Sequence, residues 1–170
     1  VLTNDELKRV WTAADKIGSF GVLVKLLILT GQRRGEIANL HLATVTDDAI
    51  IWPKEVIKNR REHTLPMTSA TAGLVSQAKP QRAWSKPKVQ LDKLCGVENW
   101  TLHDLRRTFA TSLAELGVAP HIIERILNHV TGSISPLARI YNRATYQKEM
   151  RDALALYERH LFTNVLARIA

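Results

Sequence analysis

The chain has 170 residues, 45% of them hydrophobic, which suits one domain with a sizeable core and excludes a disordered tail. Its single cysteine, Cys95, excludes an internal disulfide and fits a reducing compartment. Lys and Arg outnumber Asp and Glu by 24 to 16, a formal charge of +8, which favours a polyanionic partner, nucleic acid ahead of membrane.

The chain opens at Val1 on charged and polar residues rather than a secretory signal, and a piece of a longer protein is expected. Thr3-Asn4-Asp5-Glu6 spells a capping box, and Leu7, Val10, Trp11 and Ala14 follow at helical spacing. Gly18 breaks that pattern. The run FGVLVKLLILTG is too short to span a bilayer and carries Lys25, so it predicts a buried helix from Phe20 to Leu29 that stops at Gly31. A third helix begins near Arg33 and turns Ile37 and Leu40 inward.

Residues 44–66 change character. TVTDDAIIWP and TLPMT predict short strands of an antiparallel hairpin or three-stranded sheet, with KNRREH in or beside the turn. Helical patterning returns from Ser69 to Ala78. KPQRAWSKPK predicts an exposed loop, followed by a short helix from Val89 to Cys95. Thr101 caps a helix from Leu102 to Leu116, ended by Gly117. Pro120 opens the next, with Ile122, Ile123, Ile126 and Leu127 as its apolar face. TGSISP is a loop, a further helix carries Leu137, Ile140 and Tyr141, and the last runs from Thr145 to Ile169.

Several basic residues stand where they can act together. Arg33 lies at a helix start in LTGQRRGEIANL, where backbone N–H groups favour an anion and a guanidinium adds two-pronged donation to phosphate. An exposed pair with Glu36 is the commoner use of such an Arg. Lys58 lies near a hairpin tip, where a Lys is usually solvated; nearby cations would fit it for proton donation. His103 and Arg106, one turn apart in TLHDLRRTFAT, share a face at the rim of a helix whose Leu102, Leu105, Phe109 and Leu113 point to the core. Arg107 competes with Arg106, and the plainer account is a flanking His with a solvated Arg. His129, in RILNHVTG, suits a helix C-terminus. Tyr141, in ARIYNRATY, is either a core Tyr or, with cationic neighbours, a nucleophile. The sequence has no carboxylate pair, zinc spacing, phosphate-cradling Gly-rich loop or GxSxG, so no metal or cofactor is expected.

Taken in order, TGQRRGE, a hairpin Lys, HDLRRTFAT, LNH and then a Tyr resemble the catalytic domain of tyrosine recombinases, the phage-integrase family. The resemblance covers nearly the whole chain, and YNRATY is most similar to prophage and genomic-island integrases. It implies a mainly α fold with a small antiparallel β-sheet, the DNA breaking-rejoining fold. Residues 1–170 would form a single catalytic domain, with the family's N-terminal DNA-clamp domain absent. Arg33 matches the first catalytic Arg, Lys58 the hairpin Lys, His103 and Arg106 the HxxR pair, His129 the second His, and Tyr141 the nucleophile. Tyr141 would attack a DNA phosphate held by Arg33 and Arg106, with His129 and His103 assisting. Lys58 would protonate the departing 5′ oxygen, leaving a 3′-phosphotyrosyl link.

The resemblance also implies double-stranded DNA as partner, a homo-tetramer on paired sites in the full-length protein, and a cytoplasmic location for a bacterial or phage-encoded protein. A monomeric isolated domain is compatible with this reading, and no membrane role is expected. Glu36 matches an acidic position expected to orient Arg33. Asn128 stands where the family has Gly, a change expected to be neutral. Tyr146 is a rival nucleophile, KPQRAWSKPK a candidate phosphate contact, and Leu161 and Val165 are expected exposed for packing on a neighbouring subunit. The alternatives are a type IB topoisomerase-like activity, an inactive DNA-binding relative, and a basic helical domain with a coincidental pattern.

Overall fold

The computed structural model describes residues 1–129 and 145–167. Helix α1 (Asn4–Ala14) starts at the expected box: the Thr3 N–H donates to Glu6 Oε2 at 2.8 Å and the Glu6 N–H to Thr3 Oγ1 at 3.3 Å. Helix α2 (Gly18–Thr30) is apolar nearly all round, and a helix of that kind belongs in the middle of a core. It packs against α1, α3 (Arg34–Ala38), α4 (Ser69–Val75), α6 (Leu102–Glu115) and the last helix, α8 (Gln147–His160). Its one charge, Lys25, pairs with Asp15 and sits 4.7 Å from the Trp11 ring centroid, so the ammonium leaves the core along an aromatic face.

Gly31 ends α2 in the left-handed conformation, φ 62°. A side chain there would meet the Phe109 ring, 2.3 Å from the position of a Cβ. Glycine therefore serves both the turn and the close packing of α2 on α6.

After a 3₁₀ turn (Leu40–Leu42), β1 (Thr44–Val45), β2 (Ala49–Trp52) and β3 (His63–Pro66) form an antiparallel sheet in the order β1-β2-β3. The β2–β3 register pairs Ile50 with Leu65 and Trp52 with His63. The sheet of the sequence reading is present, but His63 opens β3 as a buried residue instead of belonging to the polar turn. Helix α5 (Ser85–Cys95) starts four residues earlier than expected and takes in the end of the basic segment. Helix α7 (Pro120–Ile126) buries Ile122, Ile123 and Ile126.

The chain's described end differs from expectation in burial. Beyond α8 a π-helical turn, Leu161–Val165, buries both Leu161 and Val165, which the sequence reading placed on the surface. The turn packs on α1, and Lys8 Nζ donates to the Ala167 carbonyl. Phe162 is the large apolar side chain left partly exposed there, edge-on to Trp11. The TGSISP loop and the helix expected around Leu137, Ile140 and Tyr141 lie outside the described residues.

Candidate active site

Arg33 is held by one carboxylate. Glu36, buried in the first turn of α3, accepts the Arg33 backbone N–H on Oε2 at 2.9 Å and Arg33 Nη1 on Oε1 at 3.0 Å. The same side chain thus caps the helix and aims the guanidinium. Trp52 Nε1 donates to the Glu36 carbonyl at 3.1 Å, which ties the sheet to this helix. The Arg33 side chain keeps 29% of its surface exposed, so it is fixed at one end and open to a ligand at the other.

Arg106 is more deeply set, only 4% exposed. Its Nη1 donates to the Gly31 carbonyl at 2.8 Å and its Nη2 to the Leu127 carbonyl at 2.6 Å. These carbonyls come from the ends of α2 and α7, where helical acceptors lack intrahelical partners. Burial, and then the charge of Arg33, push the Arg106 pKa down to about 10, so it remains a cation at neutral pH. Among the described residues these two carbonyls are the acceptors that Arg106 binds, and a guanidinium has five N–H donors to offer. Arg107, the competitor, is 65% exposed and faces Asp104 at 3.5 Å. The helix register therefore sends Arg106 inward and Arg107 out.

Behind the two arginines lies a buried polar hub. Gln32 Nε2 donates to the carbonyls of Thr30 and Ile126, both at 2.9 Å. That orientation turns Gln32 Oε1 to His63 Nε2 at 3.1 Å, so the imidazole carries its proton on Nε2. His63 stacks on Trp52, with centroids 5.7 Å apart and planes 12° from parallel. Its burial, reinforced by the charges of Arg106 and Arg33, pushes its pKa down to about 4. A neutral His63 suits a site that already holds two guanidinium groups.

Arg33, Lys58, His103 and Arg106 line one open cleft of about 670 Å³. They come from α3, the β2–β3 loop and α6. Trp84, Lys88 and Trp100 line its far side, with Lys88 Nζ 3.9 Å from the Trp100 ring centroid and bonded to Asp92. Part of the expected exposed basic loop is thus a wall of this cleft. His129 stands two residues beyond Leu127, whose carbonyl binds Arg106, and its Nδ1 donates to Glu124 Oε1 at 3.2 Å. Tyr146 precedes α8 and packs edge-on to His121, with Arg125 over its ring; it does not line the cleft. Tyr141 lies outside the described residues. No cluster of three or more His, Cys, Asp or Glu suited to a metal occurs among the described residues.

Two anchored guanidinium groups facing one cleft can hold both non-bridging oxygens of a phosphodiester. Comparison with known proteins bears on the family of the chain. The profile of the phage integrase family matches residues 75–148, the segment that carries His103, Arg106, His129 and Tyr141. Prophage integrase IntZ of Escherichia coli (strain K12) is 30% identical over 173 residues, covering 89% of this chain and 42% of that protein. These matches support the phage integrase family for this chain. Tyrosine recombinase XerA of Pyrococcus horikoshii is 26% identical over 174 residues, 90% of this chain and 59% of the relative. The chain thus spans about half the length of these integrase relatives. The mainly helical fold with a three-stranded sheet is consistent with the catalytic domain of such an integrase.

Sequence reasoning missed Gln32 and His63. Gln32 sits between two residues that were singled out, and His63 alternates with Leu65 on the buried face of β3, the signal that separates it from the preceding KNRRE. No helix among the described residues is long and apolar enough to cross a membrane.

Proposed function

We propose that this chain is the catalytic domain of a site-specific recombinase that integrates or excises a mobile DNA element in a bacterial or phage-infected cytoplasm. The carrying observation is the convergence on one cleft of Arg33, Arg106, His103 and Lys58 from three separate elements. In this reading Arg33 and Arg106 bind the two non-bridging oxygens of the scissile phosphate, where negative charge builds in the transition state. Glu36 and the carbonyls of Gly31 and Leu127 hold these guanidinium groups before substrate arrives. His129, oriented by Glu124, adds a donor.

Tyr141 Oη forms the new bond to phosphorus as the bond to the 5′ oxygen breaks. His103 assists the tyrosine proton, and Lys58 gives a proton to the departing oxygen. The 3′-phosphotyrosyl link conserves the bond energy, and a 5′ hydroxyl from another strand reverses the step without ATP. Assembly as a tetramer on paired sites, with an additional DNA-clamping domain, belongs to the full-length protein in this proposal.

The test is covalent trapping on a library of nicked duplexes, so that loss of a short strand blocks reversal. A protein–DNA adduct mapped to Tyr141 by peptide mass, absent in Tyr141→Phe and formed in excess chelator, is the expected result. An adduct on Tyr146 would move the nucleophile. DNA binding with no adduct on any nicked duplex would favour an inactive DNA-binding relative.

A further inference from the structure

The loop between β2 and β3, residues 53–62, carries Lys58, and residues Lys54 to Lys58 and Arg60 surround a depression of about 700 Å³. Its polypeptide is pinned at two points that flank the lysine. Ile57 is buried in the core. On the other side, Asn59 Nδ2 donates to the Asn128 carbonyl at 3.0 Å, and Asn128 Nδ2 donates back to Asn59 Oδ1 at 3.4 Å. Asn59 Oδ1 also accepts the Arg61 N–H at 3.3 Å, which closes the turn. Among the described residues, no other hydrogen bond ties residues 53–62 to a different element.

Asn128 adopts φ 49°, a left-handed conformation that Asn tolerates better than other residues with a side chain. Where the sequence reading treated Asn128 as a neutral replacement for Gly, its side chain makes a bond that Gly cannot. The partners are immediate neighbours of two candidate site residues: Asn59 follows Lys58, and Asn128 precedes His129.

We propose that the Asn59–Asn128 pair is a positioning clasp, which holds Lys58 over the cleft in register with the His129 turn so that the lysine can donate its proton to the leaving 5′ oxygen. The inference rests on the reading of Lys58 as that donor. Ile57 alone fixes the loop's approach but leaves the residues after it free to swing. The clasp removes that freedom, and two bonds of this kind shift a loop equilibrium by about tenfold.

The consequence differs from general destabilisation. Cleavage breaks the bond from phosphorus to the 5′ oxygen, and the electron pair left on oxygen takes the lysine proton. With sulfur in the 5′-bridging position the leaving group is a thiolate, which departs stably without a proton. A lysine held out of place then costs little.

The experiment compares single-turnover adduct formation by the wild-type chain, Asn59→Ala, Asn128→Gly and Lys58→Ala. The substrate is the duplex recovered most efficiently by trapping, synthesised with 5′ oxygen or 5′ sulfur at the mapped position. Asn59→Ala should be about tenfold slow on oxygen and restored to near wild type on sulfur, as should Lys58→Ala. Asn128→Gly, which keeps the main-chain acceptor, should lose less. If Asn59→Ala is equally slow on both substrates, or unaffected on both, while sulfur restores Lys58→Ala, the clasp is overturned and the lysine reading stands. If sulfur fails to restore Lys58→Ala, the donor role itself falls, and with it the clasp's function. A second readout needs no DNA: native trypsin cleavage after Lys58, Arg60 and Arg61 should accelerate about tenfold in Asn59→Ala, and an unchanged rate overturns the proposal.

Discussion

Acidification should loosen the site from behind, through His63. The imidazole is buried between Trp52 and Gln32 and holds a pKa of about 4, against an ordinary 6.5. Between those values the unfolded chain binds a proton that the folded chain refuses, so stability rises with pH across the window. The contribution is fully present above pH 6.5 and is lost as pH falls toward 4. At about 1.4 kcal/mol per pH unit, the whole shift amounts to about 3 kcal/mol. That is a large fraction of the stability of an ordinary domain. The assay is urea unfolding at half-unit intervals from pH 7.5 to 4 for the wild type and for His63→Gln, which cannot titrate at that position. The wild-type curve should fall more steeply than the variant's between pH 6.5 and 4, by a total of about 3 kcal/mol. Two parallel curves would refute the reasoning, because they would mean that His63 titrates alike in both states.

Three further outcomes follow from the same contacts. Arg106→Lys keeps a positive charge but cannot serve the carbonyls of Gly31 and Leu127 and a phosphate together. Adduct formation should fall at least about 100-fold, whereas Arg107→Ala, at an exposed position, should change it little; the reverse ranking in a single-turnover assay would reassign the helix register. Gly31→Ala combines a left-handed φ of 62° with a 2.3 Å approach to Phe109 and should lower stability by about 3 kcal/mol in urea titration; a loss under about 0.5 kcal/mol would contradict the packing argument. Glu124→Ala removes the acceptor for His129 Nδ1. It should slow adduct formation about tenfold with DNA affinity unchanged, and Glu124→Gln, which can still accept, should recover part of the rate.

How far the sequence could be read depended on whether each feature is local. The Thr3–Glu6 box, the Gly31 stop and the inward Leu105, Phe109 and Leu113 are properties of spacing within one element, and each is found in the structure. The same helix periodicity placed Arg106 on a face with His103. It did not say how deep that face runs. Arg106 is buried because its acceptors come from 75 and 21 residues away, and periodicity carries no trace of such partners. The Gln32 hub has the same character, since its ties to Ile126 and His63 span 94 and 31 residues. The Asn59–Asn128 bond spans 69. Leu161 and Val165 illustrate the converse error: an apolar face on a terminal helix demands a partner, but the sequence does not say whose. Here the partner is the chain's own α1, so these two residues offer no free surface to a neighbouring subunit.

These long-range ties give the cleft its physical character. The groups expected to meet phosphate are each backed by an acceptor that binds before any ligand does: Glu36 for Arg33, two helix-end carbonyls for Arg106, and Glu124 for His129. A cationic cluster left to itself would repel and splay. Here Arg33, Arg106 and His129 are each oriented by a carboxylate or carbonyl, and His63 behind them stays neutral so that no further charge is added. Preorganisation of this kind lowers the cost of arranging donors around a developing negative charge. Lys58 is the exception, exposed on a loop with one polar tie. A proton donor has to reach an atom that moves as its bond breaks. A tie at the neighbouring residue, rather than on the ammonium itself, sets the lysine's starting point and leaves its side chain free to follow.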